Sequence, residues 1–294
     1  MPARKSRGFR LLLIMLYLIS SAVLIYYLFD GWSYYTANLT ERPRMDAHMN
    51  LKPGGMRGHG LGMIGSFMMI LLLLYSLRKR RTFLRGLWPI DRWLDLHILM
   101  GIMGPLYIIL HSSFKLNGIV SISFWSMIAV ALSGVLGRYI YAQIPRGIQG
   151  NELSLQEVET MDQELNRTLV ERFKLDEYQL KRLQTIGQQT GRTNQSLLRV
   201  LFAIFFDDLF FILRRPFLRF RIRKIVKLSG RQLRQVQKLS RQKAILNRRV
   251  LLWQKIHQIF HNWHIIHKPF AIIMYLIMII HVTITILLGY RWIF

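Results

Sequence analysis

The sequence predicts an all-α membrane protein: a five-span transmembrane helical bundle with a helical, basic insertion between spans four and five. Three observations predict it. Of the 294 residues 52% are hydrophobic, yet the formal charge is +26, so apolar and basic residues must be sorted into separate blocks. Five apolar blocks approach or exceed the roughly 20 residues that a hydrocarbon core about 30 Å thick requires of a helix. Lys and Arg, 41 against 15 Asp and Glu, gather in alternate connecting segments.

Residues 11–29 form the first span and carry no charge. A basic start at Arg4 followed by an apolar stretch also fits a cleaved signal peptide, but the stretch is long and no small-x-small site follows it. Residues 60–77 are the second span and run into Arg78, Lys79, Arg80 and Arg81. The third, 93–110, opens with one acid, Asp95, and the fourth covers about 118–139. The fifth, 269–288, lies beyond a long insertion. Trp32, Trp88, Trp93, Trp263 and Trp292 flank these segments, where aromatic rings suit the membrane interface. The chain thus reads as 1–139 with spans one to four, 140–262 as the cytoplasmic insertion, and 263–294 as the fifth span and outer C-terminus.

Within the insertion, residues 151–187 are comparatively acidic and helical in pattern, a small cap. Residues 196–213 are apolar enough to suggest a sixth span, but Arg199, Asp207 and Asp208 interrupt them. Two adjacent carboxylates near a bilayer centre are costly, so an interfacial helix on the inner leaflet is the expectation. The basic tract 214–249 then faces anionic lipid or an acidic partner.

With the N-terminus inside, 35 of the 41 Lys and Arg fall on the cytoplasmic side. The expectation is an integral protein of a bacterial cytoplasmic membrane, N-terminus inside and C-terminus outside. Topology and lipid contact account for the charge, so no nucleic-acid partner is expected. The absence of cysteine excludes disulfides, iron–sulfur clusters, thiolate zinc and C-x-x-C-H haem attachment in these residues. Nine histidines remain as candidate ligands.

Four of them match one another. Thirteen residues separate His97 from His111 in the third span, and thirteen separate His267 from His281 in the fifth. Fourteen helical steps come within about 40° of four full turns, so both histidines of a span face one way, about 21 Å apart along the axis. Spans three and five both run outward, which sets His97 beside His267 on the inner side and His111 beside His281 on the outer side. Facing imidazoles at matching depths are what a b-type haem needs, two axial nitrogens across a flat ring. Two such haems are expected: an inner one on His97 and His267, an outer one on His111 and His281. A sixth span at 196–213 would reverse the last helix and pair histidines at opposite depths. Gly101 and Gly104 lie on the same stripe as His97 and admit two readings, room for a porphyrin or tight helix packing through small residues. Pro105 is expected to kink the third span.

These paired histidines resemble the ferric reductase-like transmembrane domain, shared by ferric reductases and NADPH oxidases, over residues 11–139 and 262–290. That resemblance implies a di-haem b-type cytochrome that moves electrons across a membrane, with His97, His111, His267 and His281 as iron ligands. The long basic insertion and five spans, where six are common, depart from the family pattern. No flavin or nicotinamide domain follows within these 294 residues, so separate redox donor and acceptor proteins, or a quinone, are expected as partners in a complex.

Two other motifs carry less. Gly60, Gly62 and Gly65 satisfy G-x-G-x-x-G, but they open a membrane helix with no strand before them, so a nucleotide site is not expected. The loop before them, with His48, Pro53, Gly54, Gly55 and His59, reads either as a plain turn or as a cover for the outer haem. His257, His261 and His264 form an i, i+4, i+7 stripe with no carboxylate near, an interfacial flank rather than a zinc site. The rival functional class is a non-redox membrane adaptor whose basic loop recruits acidic partners.

Overall fold

The computed structural model describes residues 7–80, 86, 88–115, 117–144, 154–187, 196–226, 228, 230–251 and 253–289. Arg4, Arg81, Trp292 and residues 151–153, used above, lie outside them. All regular elements among the described residues are helical: α1 (Arg7–Asp30), α2 (Trp32–Thr36), a 3-10 turn (Arg42–Arg44), α3 (His48–Leu51), α4 (Met56–Leu71), α5 (Leu73–Arg80), α6 (Ile90–His111), α7 (Val120–Gln143), α8 (Leu155–Phe173), α9 (Glu177–Gly187), α10 (Leu197–Ile225), α11 (Gly230–Leu251) and α12 (Trp253–Leu287). Five stretches are helical, long and apolar enough to cross a membrane: Arg7–Asp30, His48–Lys79, Ile90–His111, Val120–Gln143 and Lys255–Leu287. Residues to Arg138 together with those from Trp263 form one compact unit, and Tyr139–Asn262 form a second.

Three boundaries differ from the sequence reading. The second span is interrupted at Leu72, whose N–H is shared between Met68 O at 3.3 Å and Met69 O at 3.2 Å. That tightening is a local 3-10 step and leaves the Leu72 carbonyl facing only a long 3.3 Å contact from Tyr75 N. The fifth span begins within a much longer helix, α12, which continues through Pro269. α6 likewise contains Pro105 without ending there. His59, read as part of a loop, lies in the first turn of α4.

In the first unit α4 and α6 run antiparallel and almost touch. A Cβ built on Gly65 would lie 2.7 Å from Ile108 Cδ1 and 3.1 Å from the Gly104 carbonyl, so only glycine permits this approach. α7 and α12 are antiparallel as well. Ser123 Oγ donates to Met274 O at 3.1 Å, and Trp263 Nε1 donates to Ser133 O at 2.7 Å. Gly137 makes room for the Trp263 indole, which a Cβ there would strike. Met69, Leu72, Met127 and Met274 are buried where these four helices meet. The charge of Asp95 is answered by Arg138 at 3.9 Å.

A cap closes the end of this unit that holds His111. Ser113 and Phe114 turn the chain with left-handed φ of 48° and 60°. The Ser113 hydroxyl donates to Leu51 O at 2.7 Å. Arg42 is buried beneath the cap and spreads its guanidinium over three carbonyls, Ala37 at 3.1 Å, Tyr35 at 2.7 Å and Ser113 at 2.5 Å. Burial raises the Tyr34 hydroxyl above its ordinary value and pushes the Tyr35 hydroxyl up to about 12, so the cap's two buried phenols are neutral at physiological pH.

The second unit has its own core, in which Leu169, Leu175, Leu183, Ile222, Val226, Leu233 and Val236 are buried. α8 starts on a reciprocal cap: Glu157 N–H donates to Ser154 Oγ and Ser154 N–H to Glu157 Oε2. Between α8 and α11 lies an ion pair, Lys243 Nζ to Asp162 at 2.6 and 2.7 Å, with the Lys243 side chain only 5% exposed. A buried cation that loses its partner is uncompensated, and the loss costs about 3–5 kcal/mol, whereas replacing both partners with apolar residues is close to neutral. Asp162→Ala should therefore lower the melting temperature of the detergent-solubilised protein, followed by circular dichroism. The double variant Asp162→Leu with Lys243→Met should lie much nearer the unsubstituted protein.

Candidate functional site

All four histidines singled out by spacing lie in the first unit, two on α6 and two on α12. His97 and His267 are electrostatic neighbours, and so are His111 and His281. Neighbours at both ends require α6 and α12 to run in the same direction, with α4 and α7 running against them.

The hydrogen bonds of three of these rings define which nitrogen is available. His111 Nδ1 is 2.9 Å from Gly58 O, and His97 Nδ1 is 3.3 Å from Leu72 O. A carbonyl oxygen only accepts, so in both rings Nδ1 carries the hydrogen and Nε2 carries the lone pair. His267 Nδ1 is 2.7 Å from Ser133 Oγ, a contact whose direction depends on the hydroxyl proton. The hydroxyl also lies 2.9 Å from Val130 O, and with its proton directed there Ser133 Oγ accepts from His267 and leaves Nε2 as the basic nitrogen. An imidazole held by Nδ1–H with Nε2 bare is the tautomer that ligates a metal, with the anchor setting the ring's orientation. The residues present therefore fit haem iron in donor type, in number per site and in tautomer. His281 is half-buried, and Thr285 Oγ1 donates to its backbone carbonyl at 2.7 Å.

Local structure explains each anchor. The 3-10 step at Leu72 supplies the carbonyl for His97. For His111 the approach depends on Gly62, because a Cβ there would lie 2.6 Å from Nδ1 and 2.8 Å from the ring carbons. The G-x-G-x-x-G string thus has a packing reason: Gly62 seats His111 and Gly65 seats Ile108. Gly104 faces α4, its added Cβ lying 3.1 Å from Met69 Sδ, so the packing reading of this glycine is the one the structure carries. Gly101 also faces α4, near Leu72. On the α7 side an added Cβ at Gly134 would be 4.0 Å from His267 Cε1. Aromatic rings complete the walls at the His97 end, Tyr75 at 5.1 Å from His97 and Trp263 at 4.9 Å from His267.

Sequence reasoning missed Ser133, the carbonyls of Leu72 and Gly58, and the place of His59, an electrostatic neighbour of both His111 and His281. Ser133 was findable as a hydroxyl inside a span, about three to four turns from either end. Backbone carbonyls leave no trace in a sequence. His257, His261 and His264 lie on α12, and among the described residues no three His, Cys, Asp or Glu side chains converge as a metal site. The chain matches no family model, no curated protein and no solved structure.

The seat of His111 is open to a direct test. Gly62→Ala forces α4 and α6 apart or tilts the imidazole out of reach of Gly58, and overpacking of this kind costs about 1–3 kcal/mol. Thermal unfolding should register the loss. Gly8→Ala, where an added Cβ meets nothing within 4 Å, should leave the melting temperature unchanged.

Proposed function

We propose that this chain is a di-haem b-type membrane cytochrome, a subunit that carries electrons across a membrane between separate donor and acceptor proteins or a quinone. One observation carries the reading. Two histidine pairs with identical spacing lie on helices running the same way, and three of the four rings hold Nδ1–H on a fixed acceptor, leaving Nε2 for a metal. A b-type haem, when bound, supplies a one-electron ferric/ferrous couple. His97 and His267 would hold one haem and His111 and His281 the other.

The protein's own part is to fix these ligands and to exclude water. Leu72 O, Gly58 O and Ser133 Oγ orient the rings, and two histidines for each haem would suit outer-sphere electron transfer rather than substrate chemistry at the metal. In this reading the N-terminus and residues 140–262 are cytoplasmic, following the charge asymmetry, and His97 and His267 form the cytoplasmic-side site. The resemblance to the ferric reductase-like domain supports the same assignment through the histidine spacing.

The purified protein should show the sharp reduced-minus-oxidised bands of low-spin haem and contain two haems per chain. His97→Ala and His267→Ala should remove one spectral component, and His111→Ala and His281→Ala the other. One haem per chain, or different components lost within a pair, overturns the pairing. Protein yield and circular dichroism separate loss of haem from loss of fold, because a ligand bound only by the native state also stabilises it.

The anchor of His267 gives a finer check. Ser133→Ala removes the acceptor for Nδ1–H without touching a ligand, and loss of such a partner typically costs about 10–100-fold in metal-site affinity. Haem titration of the apoprotein should show weakened binding at the His97/His267 site alone, with Ser133→Thr restoring it.

A further inference from the structure

We propose that α10 carries a lipid-docking face, a stripe of phenylalanines that lies on an anionic bilayer surface beside the end of α7. Phe202, Phe205, Phe206, Phe210, Phe217 and Phe220 are all exposed, at 42–58%. At about 100° per residue these six positions, with exposed Leu209 among them, fall on one arc of about 140°. Side chains of this size are not left on one side of a helix without an apolar environment to receive them. The stripe is partly preassembled: Phe202 stacks on Phe206 at 6.0–6.4 Å spacing that continues to Phe210.

The occupant follows from what holds α10 and what flanks the stripe. Tyr139 Oη and Gln143 Nε2 both donate to Asp208, at 3.0 and 3.1 Å, and the Tyr139 ring meets Phe205 at 5.6 Å. Tyr139 and Gln143 belong to the last turns of α7, a helix long and apolar enough to span, so α10 is tied to the point where that helix would leave the bilayer. The same bonds give one of the two acids read from the sequence, Asp208, two donors outside the arc of the phenylalanines. At the far end Arg221 lies 4.6 Å over the Phe217 ring and Lys224 4.6 Å over Phe220, cations placed at the level of the aromatic stripe. Aromatic rings at interfacial depth with basic groups beside them match a surface of anionic headgroups. This inference rests on the membrane reading of α7 and is independent of haem.

The chain contains no cysteine, so single cysteines can be introduced for spin labels without background. The full-length protein is labelled at Phe202→Cys, Phe206→Cys, Leu209→Cys or Phe220→Cys, and at Gln235→Cys on the exposed side of α11. Each is reconstituted in phosphatidylcholine vesicles with and without phosphatidylglycerol. Labels on the stripe should collide several-fold more with oxygen than with a nickel chelate, whereas 235 should show the reverse. Phosphatidylglycerol should deepen the label at 220, and Arg221→Gln with Lys224→Gln should abolish that response. Nickel access on the stripe equal to that at 235 overturns the proposal, as does a label at 220 indifferent to lipid charge. Spin–spin broadening that disappears on dilution with unlabelled protein also overturns it, since a second copy then covers the face. A label at Leu132→Cys, on an exposed position in the middle of α7, tells these failures from failure of the span itself: it must be oxygen-accessible if α7 crosses the bilayer. The haem spectrum of the same vesicles reports separately on the redox reading.

Discussion

The candidate site depends on how closely α4 approaches α6. The two helices can meet only because Gly62, Gly65 and Gly104 present no side chains at the contact, and at that distance the backbone of α4 becomes a hydrogen-bond partner for side chains of α6. Imidazole N–H groups within an apolar bundle have no water to turn to, and an unsatisfied donor there costs more than a hydrogen bond returns. Gly58 O receives His111 directly. Leu72 O receives His97 because the helix tightens at that residue and leaves its carbonyl incompletely used. Moving α4 away by the width of one methyl group would loosen both anchors together. For His97 and His111 the tautomer, the ring orientation and the nitrogen left for a ligand follow from that one contact, while His267 takes its anchor from Ser133 on α7.

The same rule of internal satisfaction governs the charged groups in or beside the apolar helices. Asp95 faces Arg138, and Asp208 takes two donors from the end of α7. Three backbone carbonyls and the Tyr34 ring face the Arg42 guanidinium. Carbonyls that accept from Arg42 are held in turn by the loop geometry around Ser113, so the cation works as a rivet for the cap that follows His111. Lys243 and Asp162 play the corresponding part in the second unit. Apolar composition made these helices, but the polar contacts select one register among the many that apolar surfaces alone would tolerate.

Much of this was legible in the sequence because its signals are one-dimensional. Span length, the charge breaks and the fourteen-step histidine spacing are properties of a single helix, and five helices of the required length and apolarity are present where residues 11–29, 60–77, 93–110, 118–139 and 269–288 were read. Contacts between helices are not one-dimensional. The step at Leu72 has no glycine or proline to announce it, Ser133 is one serine among several in α7, and His59 is distant in sequence from both histidines it adjoins. The glycines near His97 and at the start of α4 were visible, but their partner was not. Composition admits a cofactor slot and a helix contact equally, and only the distance to Met69 or His111 separates them. In α10 the sequence displayed two acids inside an apolar run, but not what receives one of them, a tyrosine and a glutamine 69 and 65 residues earlier.

What lies between the two histidine pairs bears on which particle could pass. A relay of protons through membrane histidines needs polar groups or water in succession, each within hydrogen-bond reach of the next. The pairs stand about 21 Å apart along their helices, and between them Met69, Met127 and Met274 are buried together. Ser123 Oγ and Tyr275 Oη in this region each donate to a backbone carbonyl, Met274 O at 3.1 Å and Met69 O at 2.6 Å. Hydroxyls so engaged join helices rather than form a chain. A methionine-rich layer offers few hydrogen-bonding groups, which a proton relay needs in succession and an electron does not. That layer supports the electron-carrying role proposed above over a proton relay.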